Sequence, residues 1–144
     1  MNKKYKLGYT SGVYDLFHIG HLNILKKAKE QCDFLIVAIS TDELVRSYKN
    51  KTPVIEFAQR AAIVEAIVYV DKVVPQESRN KMEAFDTYKF DAIFVGDDWK
   101  GTPLWVKLDK DFKEKGVEVV YFSYTKEVSS TFLKEVLNKI YKED

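Results

Sequence analysis

The sequence predicts an α/β domain: a doubly wound parallel sheet of about five strands in a three-layer α/β/α sandwich. Three observations carry this. Apolar runs suited to strands alternate along the chain with stretches of helical period. The runs at Phe34–Ile39 and Ala92–Val95 are continuous rather than alternating, as strands covered on both faces must be. Finally, 144 residues, 46% hydrophobic and 31% charged, suit one core, with no repeat, low-complexity tract or linker to divide residues 1–144.

Taken in order, Leu7–Ser11 is the first strand, ended by Gly12. Gly20–Gln31 is a helix, with Leu22, Leu25, Ala28 and Cys32 at spacings of three, three and four. Asp33–Ser40 is the second strand. Thr41-Asp42-Glu43 opens a short helix, and Lys49–Pro53 is a polar loop. Glu56–Ile67 is helical, with Phe57, Ala61, Val64 and Ile67 on one side. Tyr69–Val74 is the third strand, stopped by Pro75. Ser78–Lys89 is a helix, and Asp91–Val95 is the fourth strand, closed by Gly96. Pro103–Lys115 is a charged surface helix with Gly116 placed to cap it. Val117–Phe122 is the last strand. Ser129–Tyr141 is the last helix, with Phe132, Leu133, Val136, Leu137 and Ile140 at amphipathic spacing. Right-handed crossovers then make a Rossmann-like sheet, and ligands of such sheets bind outside the carboxyl ends of the strands at the topological switch point. Segments 12–21, 41–51, 96–101 and 125–131 are therefore expected to converge.

Charge narrows the function classes. There are 23 basic and 22 acidic residues, a formal net charge of +1, which argues against a general binder of nucleic acid or membrane surface. Any anion site must be local. No apolar run approaches the ~20 residues of a membrane span. The single Cys32 excludes an internal disulfide and fits a reducing compartment, so a cytoplasmic protein is expected.

The strongest chemical signal is Gly12-Val13-Tyr14-Asp15-Leu16-Phe17-His18-Ile19-Gly20-His21, which holds both histidines of the chain. Gly12 lets the chain turn where a side chain would block a ligand, and Gly20 lets backbone approach a phosphate at a helix start. His21 in the first helical turn can donate to phosphate oxygens, and His18 could lie on the same side. A capped helix with two ordinary polar side chains is the bland alternative. Metal ligation is weaker still, for want of a third ligand, and no metal-ligating residues are assigned.

The other converging segments carry further candidates. Lys49 and Lys51 offer two mobile point charges for phosphates, against the usual fate of a solvated loop. Arg60 could fork onto a phosphate or close a surface salt bridge. Asp97 and Asp98 could accept hydrogen bonds from a ligand or help hold Mg²⁺, and Trp99 could wall the pocket. Lys126, Ser129, Ser130 and Thr131 precede or open the last helix, where hydroxyls and free N–H groups make an anion site or only a cap.

Gly12-x-Tyr14-Asp15-x-x-His18-x-Gly20-His21 resembles the HxGH signature of the nucleotidyltransferase superfamily. Ala38–Glu43, Tyr69–Pro75 and Gly96–Gly101 are similar to the bacterial glycerol-3-phosphate cytidylyltransferase family, and the resemblance runs from about Tyr5 to about Ile140. It implies a dimeric enzyme that transfers CMP from CTP, with Mg²⁺, to a small phosphorylated alcohol, giving a CDP-alcohol for a surface polymer or lipid. His18 and His21 are then expected to stabilise the five-coordinate α-phosphate, and Lys51 with the Ser129–Thr131 helix start to hold the departing phosphates. Asp97, Asp98 and Trp99 would lie at the cytosine and ribose, Gly12, Val13, Tyr14 and Gly20 would line the nucleotide, Lys126 would add charge there, and Lys49 and Arg60 would meet the acceptor phosphate. Two family arginines are replaced here, by Val68 and Tyr124, and a family glycine by Glu127. Glycerol 3-phosphate is the default acceptor. Phosphocholine, phosphoethanolamine, another polyol phosphate, adenylyl transfer from ATP, and a silent nucleotide-binding module stay open on the residues alone. The chain lacks room for the tRNA-reading domains of a class I aminoacyl-tRNA synthetase.

Overall fold

The computed structural model describes residues 3–123 and 130–142. Among these residues five strands, β1 (Tyr5–Gly12), β2 (Cys32–Ser40), β3 (Lys72–Gln76), β4 (Ala92–Gly96) and β5 (Glu118–Phe122), form one sheet. Every pairing is parallel and the order is β3-β2-β1-β4-β5. The order reverses between β1 and β4, so the switch point lies where β1 ends. There Thr10 Oγ1 donates to the Phe94 carbonyl at 2.9 Å.

Among the described residues six α-helices accompany the strands: α1 (Ile19–Gln31), α2 (Asp42–Lys49), α3 (Phe57–Glu65), α4 (Lys81–Tyr88), α5 (Pro103–Glu114) and α6 (Ser130–Lys142). A 3-10 turn spans Asp97–Trp99. Leu25 and Ala28 of α1 and Val64 of α3 pack on one face of the sheet against Leu35, Val37, Ile39 and Phe94. Trp105, Leu108 and Phe112 of α5, with Phe85 of α4, cover the other face over Tyr9, Ile36, Ala38 and Ile93. The three layers follow from β2, whose residues Leu35–Ser40 are buried without interruption. No helix among the described residues is long and apolar enough to cross a membrane.

Local chemistry sets most helix ends. Thr41, Asn80 and Thr102 cap α2, α4 and α5 through their side chains, and Pro103 opens α5 in the first turn. Gly116, at φ +78°, follows the end of α5 as its sequence position predicts.

Most element ends shift by one or two residues from expectation, and three of the differences are informative. Pro75 does not stop the third strand but lies within it, paired with Ile39, while Tyr69 and Val70 fall in the preceding turn. The strand is an edge, so one of its sides needs no ladder partner and the missing N–H is tolerated. Helix α1 ends at Gln31 as expected, but β2 starts at Cys32 rather than Asp33, so Cys32 is a strand residue although it continues the helix's apolar spacing; it is buried and its thiol is pushed up to about 11, chiefly by burial. Helix α4 starts at Lys81 rather than Ser78, because Asn80 takes the cap.

Candidate active site

The first helix begins with a histidine as its cap. His18 is in extended backbone, and its Nδ1 accepts from the Gly20 N–H at 3.0 Å. His21 Nδ1 accepts from the His18 N–H at 3.2 Å, closing a reciprocal capping box. The two rings stack, with centroids 4.0 Å apart and planes 26° apart. With Nδ1 of each ring accepting, each neutral imidazole carries its proton on Nε2. Among the described residues neither Nε2 has a partner. Burial holds His18 below the ordinary histidine value, and burial followed by the His18 charge pushes His21 down to about 4. At neutral pH the pair is therefore two uncharged N–H donors, rigidly held.

The approach to this pair is a strained loop. Tyr14 and Leu16 take left-handed backbone, at φ 56° and 50°. Asp15, only 3% exposed, holds the turn: its carboxylate accepts from the backbone N–H of Leu16, Val54 and Ile55, and pairs with Lys134 of α6 at 3.0 Å. Burial pushes the Asp15 carboxyl up, but the Ile55 and Val54 hydrogen bonds and Lys134 outweigh it and hold it below the ordinary range. The Tyr14 ring folds back against His21, with centroids 5.3 Å apart, and passes 3.0 Å from where a Cβ on Gly12 would stand. Gly12 is thus small to admit Tyr14, whereas the expectation was room for a ligand. Gly20 is buried, and its N–H is spent on His18.

Arg60 is buried to 1% exposure and is a clamp. Its Nε donates to the Ile55 carbonyl, one terminal nitrogen to the carbonyls of Val13 and Ser40, and the other to Asp42 Oδ1 at 2.6 Å. Those bonds join the loop after β1, the end of β2, the start of α2 and the loop before α3. Of the two expectations, a phosphate fork or a surface salt bridge, the structure shows an ion pair with Asp42, but on a buried guanidinium that sets the positions of the segments around the site.

Lys49 ends α2 and Lys51 follows it in the loop, both exposed. Burial, then Lys134 and Arg79, lower the Lys49 ammonium from its ordinary value. Asp97, Asp98 and Trp99 form the exposed turn after β4 on the other side of the switch point. These oxygen donors suit Mg²⁺, which keeps several waters and takes one or two carboxylates beside substrate phosphates. No group of three metal-ligating side chains occurs among the described residues. Ser130 and Thr131 open α6. Lys126 and Ser129 lie outside the described residues.

The structure adds a segment that the converging loops did not include, the one after β3. Lys81 opens α4, and its ammonium donates to Ser11 Oγ and Gln76 Oε1, both at 2.7 Å. Gln76 in turn donates to Ser40 Oγ at 2.9 Å, so the carboxyl ends of β1, β2 and β3 share one polar network. Burial, then Arg79, push Lys81 down to about 8. Applying the switch-point rule to all five strand ends would have found it. Two shallow grooves, of about 370 and 270 Å³, lie on this β3 side, the first lined by Thr41, Glu43, Leu44, Ser47 and Glu77. Neither is lined by His18 or His21.

Two imidazole N–H donors held on a helix start beside the switch point have the chemistry to meet phosphate oxygens, and the class to which this fold and donor pair point is the nucleotidyltransferases. The chain belongs to the cytidylyltransferase-like family, whose model matches residues 9–136. It is 40% identical over 130 residues to the glycerol-3-phosphate cytidylyltransferase of Staphylococcus aureus, covering 89% of this chain and 92% of that one. The glycerol-3-phosphate cytidylyltransferase of Bacillus subtilis is 38% identical over 128 residues, covering 88% and 92%. Among solved structures, the lipopolysaccharide core biosynthesis protein of Thermoplasma volcanium superposes with a TM-score of 0.70 at 25% identity, over 86% of this chain and 99% of that one. The pantoate-beta-alanine ligase of Francisella tularensis shares the fold, with a TM-score of 0.61 at 18% identity, over 99% and 72%.

Proposed function

We propose that the protein transfers CMP from CTP to glycerol 3-phosphate, giving CDP-glycerol and pyrophosphate. The observation that carries this is the stacked His18–His21 pair, with both Nδ1 atoms occupied by backbone and both Nε2 donors unspent among the described residues. Relatives named for that activity support the substrates. A phosphate oxygen of the acceptor attacks the α-phosphorus, and the bond to the pyrophosphate oxygen breaks in line. No protein nucleophile is needed, and the buried Cys32 stays out of the chemistry.

Catalysis on this reading is positioning and charge stabilisation. His18 and His21 donate to the α-phosphate oxygens as charge builds. Lys51, with Ser130, Thr131 and their flanking residues, holds the departing phosphates. Asp97, Asp98 and Trp99 face the nucleoside. Lys49 and Lys81 face the acceptor. Asp97 and Asp98 would help hold a Mg²⁺ bound with CTP, and the ion would offset triphosphate charge. Arg60 and Asp15 act through the loops they hold. The reading carries with it a cytoplasmic homodimer, which sedimentation of the pure protein tests as to assembly.

The test is pyrophosphate release from each common nucleoside triphosphate with glycerol 3-phosphate and Mg²⁺. Turnover with CTP alone, giving CDP-glycerol by mass spectrometry, is expected. Turnover with ATP in its place, or none with any of them, would sink the reading.

A further inference from the structure

One cation beside Lys49 and Lys81, Arg79, has no part in the phosphate transfer as proposed. Arg79 lies between β3 and α4, and its guanidinium carbon sits 4.2 Å from the centre of the Tyr48 ring. Lys49 Nζ lies 5.8 Å from the same ring, so one aromatic side chain of α2 braces two cations from separate segments. Two residues beyond Arg79, the Lys81 ammonium rests on Ser11 and Gln76, both neutral oxygens. The charge of Arg79 acts on both lysines, and those of Lys134 and Lys51 act on Lys49, where the Asp15 carboxylate only partly opposes them.

Among the described residues no carboxylate forms an ion pair with Arg79, Lys49 or Lys81. The nearby acid, Asp15, is already engaged by Val54, Ile55 and Lys134. Gathering like charges with no directly paired carboxylate raises the free energy of the empty site, and an anion entering it removes that cost. A guanidinium laid on an aromatic face keeps its N–H edge free and oriented, the geometry for forked binding of a phosphate.

We propose that Arg79, braced on Tyr48, binds the acceptor's phosphate and selects acceptors whose remainder carries no positive charge. Together with Lys49 and Lys81 it would repel a phosphorylated amino or quaternary ammonium alcohol. This rests on the functional reading above for the identity of the acceptor, and the test separates the two.

Binding of glycerol 3-phosphate and of phosphocholine is measured by calorimetry, without CTP, for the wild type, Arg79→Ala, Arg79→Glu and Tyr48→Leu. Steady-state constants are measured in parallel. Expected are binding of glycerol 3-phosphate but not phosphocholine by the wild type, and at least tenfold weaker glycerol 3-phosphate binding in Arg79→Ala. Its acceptor KM should rise to match while the CTP KM stays within twofold. Tyr48→Leu should follow in the same direction, and Arg79→Glu should narrow the preference between the two acceptors at least tenfold. Unchanged glycerol 3-phosphate affinity in Arg79→Ala, or equal binding of both compounds by the wild type, overturns the proposal. If the wild type binds glycerol 3-phosphate through Arg79 yet transfers nothing from CTP, the proposal stands and the functional reading falls.

Discussion

His21 gives the protein a pH signature. Its folded-state value of about 4 lies below the 6.5 of a free histidine, so the unfolded chain takes up a proton first as pH falls. The stability it contributes is complete above 6.5 and is lost between 6.5 and about 4. His18, lowered in the same direction, adds to the loss. Thermal melts of the wild type should therefore decline over that range, and His21→Asn should decline less steeply. An identical slope in the variant would show that burial of His21 is not the cause. Arg60 makes a second residue-scale prediction. Truncating a buried, hydrogen-bonded charge leaves its partners unpaired, so Arg60→Ala should cost on the order of 3–5 kcal/mol in urea denaturation. Both histidines stood out in the sequence, because a pair at that spacing after a strand is unusual. The roles of Arg60 and Asp15 did not. Their partners are backbone groups of distant segments, Val13 and Ser40 for the one and Val54 and Ile55 for the other, and no spacing in the sequence encodes such contacts.

Helix α1 joins folding to chemistry, since His18 is both its cap and a proposed catalytic donor. Asparagine caps helices well but lacks a donor in the place of Nε2. His18→Asn should therefore keep the stability that His18→Ala loses, about 1 kcal/mol. Both should lower turnover on the order of 100- to 1000-fold, the usual effect of removing one transition-state donor. A folded His18→Asn protein with near-normal turnover would remove His18 from the mechanism. Element type was legible throughout, because apolar period separates buried strands from amphipathic helices. Element ends were less so. An imidazole is not among the common capping residues, and Pro75 reads as a stop until its strand is known to be an edge.

At the scale of the molecule, the sheet is closed tightly around its central strand. A Cβ on Gly8 would stand 2.5 Å from the Phe94 ring and 2.8 Å from Cys32 Sγ, contacts from both neighbouring strands. Gly8→Ala should cost about 1–3 kcal/mol by overpacking, read as a lower denaturation midpoint with an unchanged slope. The same closeness brings the ends of β1, β2 and β3 into one polar network under Lys81.

The sequence by itself determined the alternation of strands and helices, the burial of the central strands and the histidine signature after β1. Those features are local, set by apolar period and by residues a few positions apart. Only the tertiary structure decided that Arg60 would be a clamp, that Gly12 would make way for Tyr14, and that Arg79 and Lys81 would join the cations of α2. Strand order places these groups together, and strand order depends on packing between segments that are far apart along the chain.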